Sequence, residues 1–426
     1  MGYLRFWDKL SLSFRGRRFN GIIGRLDNAS KEFYLLILLS SLFFLTNQTI
    51  QPILPLYIVE RGASTFELGL IMSILSFTAI VAKLPMGMIA ERIGKWSVIP
   101  VALLAQSIIL LLYSLVSTPS QFYPVRVLHA LIAAAFSPTA LAIASDLAPP
   151  GKRGDRIGRF LTSFGLASMF GPFLCSFLLN YLNFVELFQF SSIIPLLGLI
   201  LFLKTRRSSY TLPSKTEEQR GEVRFSLTAS LRNIITSRNV LILSFLRLIF
   251  SLTNSFFITL FAVYASENLL LTSSLIATLF GVKGVTNTIF RFPSGRLSDR
   301  IGHKIPLVAS YTALTIVYLL IAESKDFYLL IFVMILYGLA HATRAVTEWS
   351  LLGYTTSQQI SGVATAYLST MFNVGEALGA VTSGILTLTL STESIFKLAS
   401  IITIPGIFIP LLIRSEIKRR TVTLSS

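Results

Sequence analysis

Apolar windows of about 20 residues follow one another along nearly the whole chain, separated by short polar turns. A bilayer's hydrocarbon core of roughly 30 Å needs about 20 mostly apolar residues per helix, so this pattern predicts membrane-spanning helices. Six spans are expected first, at Tyr34–Ile58, Phe66–Ala90, Trp96–Ser117, Phe122–Leu147, Ile157–Tyr181 and Phe184–Leu203. A polar, basic stretch from Lys204 to Arg238, with Pro213, the pair Glu217 and Glu218, and Gly221, then breaks the pattern and marks the one long internal linker. Six further spans follow at Val240–Ala265, Leu271–Leu297, Pro306–Ala322, Phe327–Leu352, Ile360–Leu390 and Ile395–Ile413. The expected organisation is an N-terminal segment (1–32), a six-helix bundle (33–204), a central loop (205–238), a second six-helix bundle (239–414) and a tail (415–426).

Basic residues follow these spans asymmetrically. Of 37 lysines and arginines, 28 fall on one side of the membrane and three, Arg61, Lys325 and Lys397, on the other. Positive loops stay in the cytoplasm, so both termini are expected there, in a multi-pass cell-membrane protein. The net charge of +17 is thereby a topology signal, and no nucleic-acid partner is expected. The first 32 residues are too long and basic, and the next apolar run too long, for a cleaved signal peptide. Leu4, Trp7, Leu10 and Phe14 have a spacing that suits an interfacial amphipathic segment on anionic lipid, with a disordered tail as the alternative.

Composition agrees: 53% of residues are hydrophobic and 13% charged, and the mean hydropathy is +0.70, so the outer solvent is lipid. One cysteine, Cys175, gives no disulfide framework, and the three histidines, His129, His303 and His341, are far apart. No HExxH, GxSxG or GxxxxGK[ST] string occurs, so no catalytic residue, metal or cofactor is expected, and the energy source is one other than ATP.

An internal repeat appears at an offset of 208 residues. Lys83 falls on Arg291, Pro85 on Pro293, Gly87 on Gly295, Glu91 on Asp299, Arg92 on Arg300, Ile93 on Ile301 and Gly94 on Gly302. The same ungapped offset carries Gly154 onto Gly362, Phe164 onto Phe372 and Gly171 onto Gly379. Two homologous halves account for this. The strings GMIAERIGKW and GRLSDRIGHK that close the second and eighth spans resemble the loop signature of the major facilitator superfamily, G-x-x-x-[DE]-R-x-G-[RK]-[RK]. Asp146 followed by Lys152-Arg153-Gly154, and Gly171-Pro172 in the fifth span, extend the resemblance over Tyr34 to Ile413. It implies an all-α fold of twelve transmembrane helices in two pseudo-symmetric bundles, alternating access, and a monomer. It also implies a conformational latch at Gly87, Glu91, Arg92, Gly94, Asp146, Arg153, Gly295, Asp299, Arg300 and Gly302. Glu91 stands for the usual aspartate, and Trp96 and His303 where a base is common. A tight basic turn that only fixes topology is the plainer reading of these loops.

Ionisable groups inside spans cost about 2.5 to 3.5 kcal/mol each on the insertion scale, which makes them functional candidates. On the tenth span Tyr337, His341, Arg344 and Glu348 share one helical stripe, expected to face the cavity; an internal Arg344–Glu348 pair is the alternative. Arg126 and His129 share a face of the fourth span, and Asn47 and Gln51 lie one turn apart on the first. Arg247 heads a stripe with Ser251 and Asn254 on the seventh, and Glu376 lies with Asn373 and Ser369 on the eleventh. The resemblance places the first, fourth, seventh and tenth spans around the cavity. Substrate or coupling contact competes at each position with plain helix-to-helix hydrogen bonding. Lys283 is deep in the eighth span, with Glu376 as a guessed partner, whereas Lys83 and Arg291 are near enough to the interface to snorkel.

Arg126, Arg247, Lys283 and Arg344 against Glu348 and Glu376 leave an excess of two cations. That favours a small anionic or polar metabolite as substrate, with a proton as coupling ion through Glu348, Glu376, His129 or His341. The competing expectation is proton-coupled efflux of hydrophobic compounds, since Gly171-Pro172 resembles part of an antiporter motif; Phe173-Leu174-Cys175 and Asn47 depart from that pattern. A sensor that does not cycle and an ion channel are further alternatives.

Overall fold

The computed structural model describes residues 28–149, 152–206, 237–356 and 361–413, and within them the chain is helical throughout, without strands. In the first half the helices are α1 (Asn28–Ile50), α2 (Leu54–Glu60), α3 (Thr65–Ile93), α4 (Lys95–Leu115), α5 (Pro119–Asp146), α6 (Arg153–Leu178) and α7 (Phe184–Arg206). In the second half they are α8 (Arg238–Glu267), α9 (Ser273–Ile301), α10 (Lys304–Glu323), α11 (Phe327–Thr355), α12 (Ser361–Leu386), α13 (Thr392–Thr403) and α14 (Pro405–Phe408), followed by a 3-10 turn at Ile409–Leu412. The N-terminal amphipathic segment and most of the central loop lie outside the described residues.

Two expected spans are broken. The first stops at Ile50 and resumes as α2, because Pro52 cannot supply an N–H and Pro55 suits only a helix start. The last is divided at Ile404, where Pro405 and Pro410 act in the same way. Among the described residues, ten stretches are long and apolar enough to cross a membrane; α9 and α12 are long enough but too polar.

The sequence repeat is a structural repeat. α3 and α9 begin and end at positions 208 residues apart, and so do the starts of α5 and α11. Ser64 and Thr272 cap α3 and α9 by accepting from the backbone N–H groups of Glu67 (3.2 Å) and Leu275 (3.4 Å). Gly94 and Gly302 end the same helices with φ of 89° and 81°, a conformation that a side chain resists.

The halves meet along two seams, α3 against α12 and α6 against α9, while α4 with α7, and α10 with α13, pack away from them. Lipid gives no hydrophobic drive to helix pairing, so close approach of small residues must hold the seams. At the first seam a Cβ on Gly69 would lie 2.5 Å from the Ala380 carbonyl and 2.7 Å from the Gly384 Cα; at the second, one on Gly284 would collide with the Ser168 carbonyl. Hydroxyls add Thr65 to Thr387 (3.0 Å) and Ser176 to Ser274 and Thr278 (3.0 and 2.8 Å). The hydrogen bonds joining the halves run from Thr65 to Ser76 on α3 and from Gly165 to Ser176 on α6, away from the termini. Buried apolar residues follow suit. One cluster joins both halves at that closed end and continues through the second half, whereas Phe33, Leu39, Phe136, Ile143 and Phe160 form a separate core at the terminus-bearing end of the first half. The molecule is closed at one end and parted at the other.

Candidate functional site

Where the seams stop, a cavity of about 310 Å³ opens between the halves, walled by α1, the start of α2, α3, α5, α6, α8 and α12. Phe43, Phe44, Phe164, Met72 and Ile258 give it apolar surface, and Asn47, Gln51, Arg126, His129, Ser255 and Glu376 give it polar groups. Five of the sequence candidates, Asn47, Gln51, Arg126, His129 and Glu376, are therefore brought together.

Their orientation follows from hydrogen-bond logic. Asn47 donates its amide to the Phe43 carbonyl (2.9 Å), so its Oδ1 must accept from His129 Nε2 (2.6 Å) and from Gln106 Nε2 (3.3 Å). With the proton on Nε2, His129 Nδ1 accepts from the Tyr113 hydroxyl (3.2 Å), a neutral imidazole held at both nitrogens. Arg126 donates to the Ile71 and Met72 carbonyls (3.3 and 3.1 Å), which ties α5 to α3. Glu376 accepts from Ser76 of the other half (3.2 Å), and the Arg126 and Lys83 charges reach it electrostatically. Gly171 has a packing role: a Cβ there would lie 2.7 Å from Gln48 Cβ, so the glycine seats α6 against the cavity wall.

The remaining candidates are elsewhere. The stripe on the tenth span exists, but α11 contributes nothing to the cavity wall. Tyr337 donates to Asn254 (2.8 Å) and meets the Tyr318 hydroxyl (3.1 Å), Arg344 pairs with Glu348, and Tyr311 reaches Glu348 at 3.4 Å. The stripe faces α8 and α10 of its own half, because helical spacing fixes which residues share a face but not which neighbour that face meets. Lys283 is not paired with Glu376: its ammonium lies 4.4 Å from the Phe257 ring centre and 4.2 Å from that of Tyr337. Arg247 lies over Trp349 at 4.2 Å, His341 packs on Phe250 at 4.9 Å, and Asn373 is buried outside the cavity wall with its amide nitrogen unpartnered. The expected pooling of four cations in one cavity thus fails, since the central cavity holds Arg126 and Glu376 in balance. Lys83 also departs from a plain interface role, because it is close enough to feel the charges of Glu376 and Arg247.

At the parted end, the two signature loops are held within their own halves. Lys95 bridges Glu91 (3.2 Å) and Asp146 (2.8 Å), so the acid pairs with Lys95 and not with Arg92. In the second half, among the described residues, Asp299 and Arg300 make no ion pair; His303 instead contacts Ser350 (3.1 Å) and the Tyr354 ring (5.1 Å). The side chain of Arg153 lies outside the described residues. Gly87 has open space around it, while a Cβ on Gly295 would sit 3.3 Å from Val346. Sequence reasoning passed over Gln106, Tyr113, Ser76 and Lys95 as site partners. Gln106, a lone amide in a strongly apolar span, was the one with a visible signal.

The family model described as Major Facilitator Superfamily matches residues 36–262 and 243–425. The Methanocaldococcus jannaschii protein called uncharacterized MFS-type transporter MJ1560 is 23% identical over 357 residues, 83% of this chain and 91% of that protein. The multidrug resistance protein MdtG of Salmonella paratyphi A is 25% identical over 341 residues, 78% of this chain and 82% of its own length. Among solved structures, the nucleoside transporter NupG superposes with a TM-score of 0.69 at 15% identity, over 90% of this chain and 98% of its own. A bacterial homologue of the human lysosomal transporter Spinster, inward-facing and occupied, gives 0.72 at 14% identity, over 90% and 96%.

Proposed function

The chain belongs to the Major Facilitator Superfamily, a multi-span membrane transporter and not an enzyme, and from that premise we propose that it moves a small organic solute by proton-coupled alternating access. The observation that carries this reading is Glu376, a carboxylate in the cavity wall that reaches across the first seam to Ser76. Protonation removes its attraction to Arg126 and Lys83, so the proton and the closure of the halves act on one group. The cavity is at the small end of ligand-pocket sizes, and its aromatic and amide walls suit a solute with both apolar and polar faces. The name of the MdtG relatives supports export of such compounds. Both termini lie in the cytoplasm on this reading, from the basic excess of the loops, so the parted end faces inward; the monomer follows from the family resemblance alone.

The two signature loops stand at the parted end. Gly87, Glu91, Arg92, Gly94, Asp146 and Arg153, with Gly295, Asp299, Arg300 and Gly302, act when that end closes and the loops of opposite halves approach. The test uses proteoliposomes with an imposed pH gradient, following solute uptake and luminal pH together. Glu376→Gln is expected to keep downhill exchange and lose gradient-driven accumulation. Full accumulation by that variant would remove Glu376 from the coupling step.

A further inference from the structure

Arg247 is 8% exposed and Arg344 2%, yet Arg247 Nε and Nη1 and Arg344 Nε have no hydrogen-bond partner. Buried donors on a charged group are costly to leave unmatched. Each guanidinium has a face against an aromatic ring, Arg247 on Trp349 and Arg344 on Phe250 at 3.5 Å, which leaves the N–H edge for an in-plane acceptor. The nearest carboxylate, Glu348, is already engaged by Arg344 and Tyr311. His341 lies within electrostatic range of Arg344, Lys283, Arg291 and Arg247, and Lys83 of the first half is within electrostatic range of Arg247. Cation charge is therefore in clear excess here, unlike in the central cavity.

The position of the cluster adds to this. Arg247 is two helical turns, about 12 Å, nearer the parted end than the cavity residue Ser255. Phe372, 5.7 Å from Arg247, is one turn before Glu376 on α12. Trp349, whose ring stacks on Arg247, is 37% exposed, so one side of the cluster lies at the surface.

We infer that Arg247 and Arg344 form a receiving site for an anionic group, a carboxylate or a phosphate-type oxyanion, on the path between the parted end and the central cavity. A carboxylate or phosphate-type oxygen would accept charge-assisted hydrogen bonds from the unpartnered N–H groups, Arg247 Nε and Nη1 and Arg344 Nε. The apolar remainder of the molecule would lie toward Phe372 and the aromatic wall of the cavity. This rests on the transport reading above only in taking the anion to be part of the cargo, because an anionic lipid headgroup presents the same chemistry.

The experiment measures the unfolding midpoint of the full chain in neutral phosphatidylcholine nanodiscs, at constant ionic strength, against benzoate, phenylphosphonate, benzamide and benzylamine. Benzoate and phenylphosphonate are expected to raise the midpoint and the other two are not. Arg247→Gln should weaken apparent affinity for benzoate at least about tenfold, and Arg247→Lys, which keeps charge but not the planar set of N–H donors, by less. Since Arg344→Gln alone strands Glu348, the paired Arg344→Gln/Glu348→Gln variant is measured in its place, with a loss like that of Arg247→Gln. Arg159→Gln, at an exposed arginine, is the charge control. Phosphatidylglycerol nanodiscs separate the sources: an Arg247-dependent rise there, with none from soluble anions, assigns the site to a lipid headgroup. Equal responses to benzoate and benzamide, or indifference to Arg247→Gln and the paired variant, overturn the site. Anion binding without flux in proteoliposomes overturns the transport reading and leaves the site standing; flux without anion dependence does the reverse.

Discussion

On the loop after α3, Lys95 holds Glu91 and Asp146 in an ion-paired knot; 208 residues later, the same place on the loop after α9 is taken by His303, and the equivalent of Asp146 is Tyr354, whose ring lies against the imidazole. The seams differ in the same manner. Glu376 and Ser76 face each other across one, and their counterparts across the other are Ser168 and Gly284, where backbone meets backbone. At these equivalent positions one framework thus carries charge chemistry in one copy and side-chain or backbone packing in the other. A repeat preserves where helices start and stop more faithfully than what their side chains do, because backbone geometry is shared whereas each polar pair must be matched separately.

The comparison can be broken first at the seams. Glu376→Gln is expected to lower gradient-driven accumulation about a hundredfold, while Ser168→Ala at the equivalent position changes it less than twofold; matched losses would mean that the seams are functionally alike. Next, Gly284→Val places a branched side chain against the Ser168 carbonyl. Overpacking of this kind costs about 1 to 3 kcal/mol, so the melting midpoint should fall and flux drop roughly tenfold, whereas Ser76→Ala at the other seam should leave the midpoint nearly unchanged.

The loops give smaller effects. Asp146→Asn removes a partly exposed partner of Lys95, a contact of the type worth about 0.2 to 1 kcal/mol. Transport should fall a few-fold at low salt, and the difference from wild type should shrink at about 0.5 M salt as screening takes over. Tyr354→Leu in the second half should show no such salt dependence.

The smallest effect is in pH. Burial lowers the pKa of His303 from its usual 6.5, although Asp299 opposes the shift. The unfolded chain therefore takes up a proton near pH 6.5 while the folded one does not, so this site's contribution to stability shrinks as pH falls below about 6.5. His303→Gln should flatten the melting-midpoint profile between about pH 7 and pH 5; an unchanged slope would assign it to other groups.

The two halves and their offset were legible because a repeat is a property of the chain alone, and a hydropathy window accounts for ten of the twelve expected spans among the described residues. The proline breaks at Pro52 and Pro405 were visible as letters but are averaged away in a window of about 20 residues. The seams were not legible: Gly69, Gly284, Ser168 and Gly384 carry no periodic signal, and their meaning depends on which helix lies opposite. Five of twelve candidate cavity residues came together because Asn47, Arg126 and Glu376 are polar where lipid forbids it. The tenth-span stripe was correct as a stripe and misplaced as a wall, because Tyr318, Asn254 and Tyr311 could satisfy it from within its own half.

The polarity of α9 and α12 has a consequence for how the protein is made. A nascent segment enters the bilayer on its own only when lipid welcomes it more than water does, and these two carry Lys283, Arg291 and Glu376 among glycines, serines and threonines. Their acceptable surroundings are other helices: α3 and α8 for α12, α6 and α11 for α9. Three of these four, α3, α6 and α8, are synthesised earlier than the segment they receive. The first half thus serves as the medium into which the least lipid-soluble parts of the second half can partition, and synthesis order becomes part of the folding mechanism.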